Sequence, residues 1–316
     1  MKNFKYAMRA DNVYCLDTKM FGFDQYSSSY LVKGKELALV DTGIPPALEV
    51  VRAGIKAHGF SVSDISYIFV SHCEHPDHSG NVTPLLKEAT RAKVYINPIG
   101  ARDLLDPSVK AAERKATLVP KMAARFGVME PTPPSRIQHL RDGEVIDLGD
   151  GEKLRIMFTP GHQPSGMVIF EEKYKGLFIN DLVGNYFPDA DDFSLILTPY
   201  GTDLKASMEA LKKFMKMPIS RLFLGHFGIA GKPNEVMQCA LTGMQKLMDI
   251  GAKCLAEGKP EELVSRIYAS KVPETEKLLA TRGKVLFDYI TNELNTHHAE
   301  AFAKYYLSLQ SQKPGN

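Results

Sequence analysis

The stretch that decides the reading of this chain is Ser71-His72-Cys73-Glu74-His75-Pro76-Asp77-His78-Ser79-Gly80. Three histidines and two carboxylates lie within residues 72–78, directly after the apolar, β-prone run 65–70, ISYIFV. Where a strand ends and the chain turns, neighbouring side chains can converge on one point. Imidazole and carboxylate are ordinary ligands of Zn²⁺ and non-haem iron. A lone histidine is more often a surface or satisfied core residue. With so many together, a simple polar loop is the weaker reading.

Three segments further along repeat this grammar of a strand followed by a polar residue in a tight turn. Residues 158–164, FTPGHQP, present His162; residues 177–184, LFINDLVG, present Asp181; residues 222–228, LFLGHFG, present His226. Glycine beside His162 and His226 lets the backbone turn closely there. Singly, an aspartate in such a turn is more often a cap. In this order, behind the histidine cluster, the segments describe one site.

The rest of the chain supplies the scaffold. Residues 30–33 and 37–41 read as a hairpin that ends in the turn Asp41-Thr42-Gly43, with a helix following over about 46–58. A helix at 82–89 and a strand at 93–96 come after the cluster. Residues 106–136 break the rhythm. They read as an inserted, lid-like helical excursion, interrupted near Pro120 and closed by Pro131-Thr132-Pro133-Pro134. Strands follow at 144–148, 154–158, 167–170 and 176–180. From Asp203 the pattern is mostly helical, with helices marked by Leu204–Met215, Val236–Met248 and Leu278–Leu294 around the strand 221–224. Two strand-rich halves, each with helices, predict an α/β fold with a two-sheet core and helices outside.

The chain has 316 residues and a formal net charge of +2, which points away from nucleic acid or a membrane surface as the main partner. Its start carries no apolar leader and no run has the length of a membrane span, so a cytoplasmic location is expected. Cys15, Cys73, Cys239 and Cys254 form no CxxC pair, and a disulfide framework is not expected.

The ordered set of His and Asp segments resembles the metallo-β-lactamase superfamily, whose pattern is HxHxDH, then a distant His, a bridging Asp and a final His. The resemblance covers roughly residues 12–230 and implies a four-layer αβ/βα sandwich. With a helical C-terminal extension, the chain is similar to the glyoxalase-II-like hydrolase branch. The division this implies is a catalytic domain over 1–232 and a helical extension over 233–316. Carried over residue by residue, the resemblance places His72, His75 and His162 on one metal and Asp77, His78 and His226 on a second. Asp181 bridges them, and Asp41 supports the ligands from behind.

The chain departs from the pattern at one place. Two residues, Cys73 and Glu74, separate His72 from His75 where the family has one. Cys73 as a thiolate, or Glu74 as in the HxExDH motif of flavodiiron proteins, are therefore alternatives to His75. The chain also resembles those proteins at His162-Gln-Pro and Asn180-Asp181. Carboxylate in place of histidine favours iron over zinc.

The resemblance implies two divalent metal ions, zinc first and iron as the main alternative. The expected activity is hydrolysis of an ester, thioester or lactone by a metal-bridging hydroxide, with Asp77 orienting the nucleophile or holding a proton. The alternative is a flavodiiron-like protein that binds or reduces oxygen. No flavodoxin-like half is legible, so its electrons would come from an external donor. Lys110, Arg114 and Lys115 are candidate contacts to a small anionic substrate, weighed against a solvated helix face that also includes Lys121 and Arg125. The helical tail is long enough to cover the site or to form a homodimer interface.

Overall fold

The runs at Leu37–Val40, Ile65–Val70, Gly176–Asn180 and Arg221–Leu224 are apolar at nearly every position, as strands are when both faces are covered. The computed structural model describes residues 6–118, 120–187, 192–194 and 201–311. The first five residues, part of the stretch in which no leader is expected, lie outside that range.

Two seven-stranded sheets form the centre. In the first, Arg9–Ala10, Val13–Asp17, Ser28–Lys33 and Leu37–Val40 run antiparallel. Ile65–Val70, Lys93–Ile96 and Ile137–His139 then continue parallel to Leu37–Val40. The second sheet is antiparallel except where Gly176–Asn180 pairs parallel with Arg221–Leu224.

Alternation along each strand divides its side chains between two cores. Val40, Phe69, Phe178 and Phe223 point into the space between the sheets, with Tyr30, Ile156 and Ile169. Leu39, Ile68 and Val70 point outward against Val51, Ile55, Leu85 and Leu104 of the flanking helices. On the far side, Leu177, Ile179, Leu222 and Leu224 meet Leu211, Phe214, Val236 and Ala240. Full burial of each such side chain stabilises by about 1.5–3 kcal/mol. The result is the expected four-layer αβ/βα sandwich with C-terminal helices.

Residues 106–136 contain the helices Ser108–Thr117 and Pro120–Arg125. The expected single helix at 278–294 is instead three pieces. Leu263–Arg282 ends at Gly283 (φ 76°), Lys284–Tyr289 restarts, and Ile290–Leu294 is a π-turn that leads into Asn295–Ser311. Helical spacing of apolar residues survives such a break, so the pattern alone did not reveal it. Leu118, Met122 and Phe126 from the insertion meet Tyr289, Ile290 and Leu294 in a small apolar core above one sheet edge. Among the described residues, no helix is long and apolar enough to cross a membrane. None of the four cysteines forms a disulfide.

Candidate metal centre

The site lies beyond the carboxyl ends of the strands, where open α/β sheets gather functional groups. Asp41 follows Leu37–Val40, His72 follows Ile65–Val70, Asp181 follows Gly176–Asn180, and His226 follows Arg221–Leu224. His162 follows the Glu152–Phe158 strand of the second sheet. The loops are cross-tied. Thr42 N–H donates to the His78 carbonyl at 2.8 Å, and the Asn81 amide donates to the carbonyls of Thr42 and Ile44 at 2.8 and 2.7 Å. Gly80 is needed here, since a Cβ would lie 2.3 Å from Pro45 Cδ.

The structure brings His72, Asp77, His78 and Asp181 together, with one ligand atom from each within 4.8 Å of the others. The Asp181 carboxylate is central. Its Oδ1 is 3.1 Å from His78 Nε2, and its Oδ2 is 3.4 Å from His226, 3.6 Å from His162 and 4.0 Å from His72 Nε2. Asp77 Oδ1 is 3.6 Å from His72 Nε2, and its Oδ2 is 3.9 Å from His226 Nε2. Two donors bound at about 2.0–2.2 Å to a common metal sit roughly 3–4 Å apart, which is the spacing seen.

The orientation of two rings is set from behind. The His78 Nδ1 is 2.8 Å from Asp41 Oδ2, and Asp41 also accepts from Ser71 N–H at 2.8 Å and from the Ser71 hydroxyl at 2.9 Å. His226 Nδ1 is 2.7 Å from the Tyr26 carbonyl, so it carries the proton. In each case Nε2 is left to face the carboxylates, the arrangement that metal-binding histidines need.

Electrostatics describe a site built for cations. Burial alone would raise the Asp181 carboxyl, but His78 and His226 hold it well below its ordinary range. Burial alone would lower the His78 imidazole, but Asp181, Asp41 and Asp77 hold it well above its usual value. Burial lowers His162 to about 4. The buried atoms His72 Nδ1 and Nε2 and Asp77 Oδ1 have no hydrogen-bond partner among the described residues. Buried polar groups are rarely left so, and a metal pair would account for them. Gly225 completes the cradle, because a Cβ there would meet Asp181 Oδ1 at 2.3 Å. The residues fit the metals that the ligand types imply.

The three candidates at the insertion separate clearly. Glu74 turns away from the cluster. Its Oε1 accepts from Ser165 N–H at 2.8 Å, and its Oε2 accepts from the Ser165 hydroxyl at 2.6 Å and from Cys73 N–H at 3.2 Å. Cys73 is buried in the apolar core beside the helices, and burial pushes its thiol up. The Glu74 carboxylate is thus engaged with Ser165, and the Cys73 side chain packs in the apolar core. His75 lines the cavity next to the cluster, with its ring centroid 5.3 Å from that of Phe126.

That cavity has a volume of about 40 Å³. His75, Asp77, His162 and His226 form its floor, and Met20, Tyr26, Met122, Phe126, Tyr289 and Leu294 most of its apolar walls. His297 and His298 complete the lining from the last helix. Lys110, Arg114 and Lys115 are not on it. Lys110 pairs with Glu113 at 2.8 Å, Arg114 is buried and donates to the Glu74 carbonyl at 3.3 Å, and Lys115 is exposed. Lys121 and Arg125 lie 3.9 and 3.8 Å from Glu293, tying the insertion to the π-turn. The insertion reaches the cavity through Met122 and Phe126. Sequence reasoning missed Tyr26, Tyr289, His297 and His298; only the tandem His297-His298 inside a helix carried a visible signal.

A two-sheet sandwich with a His/Asp cluster at the strand ends defines a fold built around a metal-binding edge. The family model described as metallo-beta-lactamase superfamily matches residues 22–226, and the chain belongs to that superfamily. It is 26% identical over 269 residues to the putative diflavin flavoprotein A 1 of Nostoc sp., covering 81% of this chain and 41% of the relative. It is 27% identical over 172 residues to the flavo-diiron protein FprA2 of Clostridium acetobutylicum, covering 54% of this chain and 37% of the relative. The chain thus spans about two fifths or less of these curated relatives. The metallo-beta-lactamase family protein of Thermus thermophilus superposes with a TM-score of 0.65 at 19% identity, covering 96% of both chains. That likeness concerns the fold.

Proposed function

We propose that this chain holds two iron ions between His72, His75, His162 and Asp77, His78, His226, with Asp181 between them, and binds or reduces a small molecule of the size of dioxygen. The observation that carries this reading is the cavity. At about 40 Å³ it is small, with room for a few water-sized molecules, and Met122, Phe126 and Tyr289 make its walls largely apolar. The likeness to the diflavin and flavo-diiron relatives supports the same choice.

When bound, an iron pair supplies redox chemistry at the cavity floor. The chain's own residues hold and orient. Asp41 keeps His78 with Nε2 forward, the Tyr26 carbonyl does the same for His226, and the apolar walls exclude bulk water. Electrons for repeated turnover come from a separate donor protein.

A second reading, zinc-dependent hydrolysis of an ester, thioester or lactone by a metal-bridging hydroxide, has one specific support. With Glu74 held by Ser165, the donor set is rich in histidine, which suits zinc. Asp77 would then orient the nucleophile. Metal analysis of chain purified without added metal, with anaerobic reduction and oxygen-uptake measurements, decides. We expect roughly two irons per chain and oxygen consumption with a chemical reductant. Two zinc ions with turnover of thioesters would overturn the oxygen reading.

A further inference from the structure

Two histidines outside the metal cluster share its cavity, and no ligand assignment uses them. His297 and His298 lie on the helix Asn295–Ser311 and are 9% and 1% exposed. His297 Nε2 and His298 Nδ1 are buried and have no hydrogen-bond partner among the described residues. Both residues line the cavity together with His162 and His226. Leaving two adjacent imidazole nitrogens unpaired costs free energy that a helix in an ordinary apolar contact would avoid with leucine.

The placement is enforced by the fold. Ala299, Phe302 and Tyr306 anchor the same helix against the second sheet's outer core, which fixes its rotation. The π-turn Ile290–Leu294 comes just before it and puts Tyr289 and Leu294 on the cavity wall. Single π-turns inside α-helices recur at functional sites. A neutral imidazole offers one N–H donor and one acceptor nitrogen. A small ligand bound on the metal side would turn its outer atom toward these nitrogens.

We propose that His297 and His298 are the distal hydrogen-bonding residues of this pocket, and that at least one donates to the outer atom of a small diatomic or anionic ligand held at the metal pair. This rests on the oxygen-binding reading given above. The donors come from the C-terminal helix, so the ligand pocket is incomplete in the sandwich alone.

The test uses azide on the full-length, iron-loaded, oxidised chain, with its dissociation constant and antisymmetric stretch as readouts. His297→Phe and His298→Phe keep an aromatic ring and remove the donor; His298→Gln keeps a donor and covers the case in which phenylalanine does not fold. We expect one or both Phe variants to bind azide roughly tenfold more weakly, with a shifted stretch and unchanged iron content. His298→Gln should stay within about threefold of the parent. Iron-loaded Phe variants that both match the parent within about twofold, with the same stretch, would overturn the proposal and leave the rings to a buried water. A parent chain that takes up no iron would overturn the oxygen reading itself, and this inference with it.

Discussion

Asp41→Asn tests the role of the residue behind His78, because it removes the charge and one acceptor while keeping the shape of the side chain. Asp41 has φ 62°, in the left-handed region that asparagine tolerates well. The Ser71 N–H donates to Oδ1, so the asparagine carbonyl must keep that place. The amide nitrogen then takes the place of Oδ2, 2.8 Å from His78 Nδ1. Two N–H donors cannot face each other there. His78 answers by moving its proton to Nε2, the atom that faces Asp181 at 3.1 Å, and a protonated Nε2 cannot bind metal. Loss of such a supporting partner costs roughly 10–100-fold in metal affinity, or about 1.4–2.7 kcal/mol.

The assay is competition with a chelator, together with thermal melting of the metal-free form. Asp41→Asn should weaken retention of one ion by that factor and move metal-free stability by less than about 1 kcal/mol. Asp41→Ala should do more, since it also strips the acceptors from Ser71 N–H and Oγ and costs about 1–3 kcal/mol of folding stability. Asp41→Asn that holds both ions within about twofold of the parent would refute the tautomer argument.

Three further outcomes follow from the geometry. Gly225→Ala would put a Cβ 2.3 Å from Asp181 Oδ1 and 3.0 Å from His78 Cε1, so metal analysis should show a sharp loss of bound metal. Glu74→Gln should keep full metal content while the metal-free chain loses about 1–3 kcal/mol in denaturant titration, because Ser165 and Cys73 lose a charged acceptor; metal loss without destabilisation would instead make Glu74 a ligand. In the metal-free chain, ring nitrogen NMR shifts should show His162 and His297 neutral down to about pH 4. Their folded values lie below the unfolded one of about 6.5, so their contribution to stability is lost as pH falls through that window. His78, held well above its ordinary value, behaves oppositely: its contribution is fully present below about 6.5 and is lost as pH rises through its raised value.

The centre of the site was legible because strand ends advertise themselves. Apolar runs such as 65–70 and 221–224 stop abruptly at polar residues, and glycine beside His226 signals a close backbone turn. The ambiguity at Cys73, Glu74 and His75 could not be resolved from the sequence. All three side chains are chemically able to bind metal, and the partner that engages Glu74 is Ser165, ninety-one residues beyond it. Its backbone and hydroxyl capture the Glu74 carboxylate, and no local pattern announces that contact. The surroundings of the insertion's charges were hidden for a related reason. Arg114 reads as one more exposed cation on a helix, yet it is buried and donates to a backbone carbonyl.

The C-terminal helices were legible as helices but not as part of the pocket, and this has a physical reason. Apolar spacing tells which face of a helix is covered, not by what. Leu278, Tyr289 and Leu294 would show the same spacing in a dimer interface or against the sandwich. In the structure they meet Met20, Met122 and Phe126 over the metal residues, and Arg125 lies over the Tyr289 ring at 5.0 Å. The insertion and the extension, separated by most of the second sheet, therefore close one roof between them. A metal site at an open sheet edge is exposed to solvent; under this roof the same ligands face a small, largely apolar cavity. What reaches the metal residues is thus governed less by the ligand motif, which the superfamily shares, than by Met122, Phe126, Tyr289 and Leu294, where the sequence shows only ordinary helix.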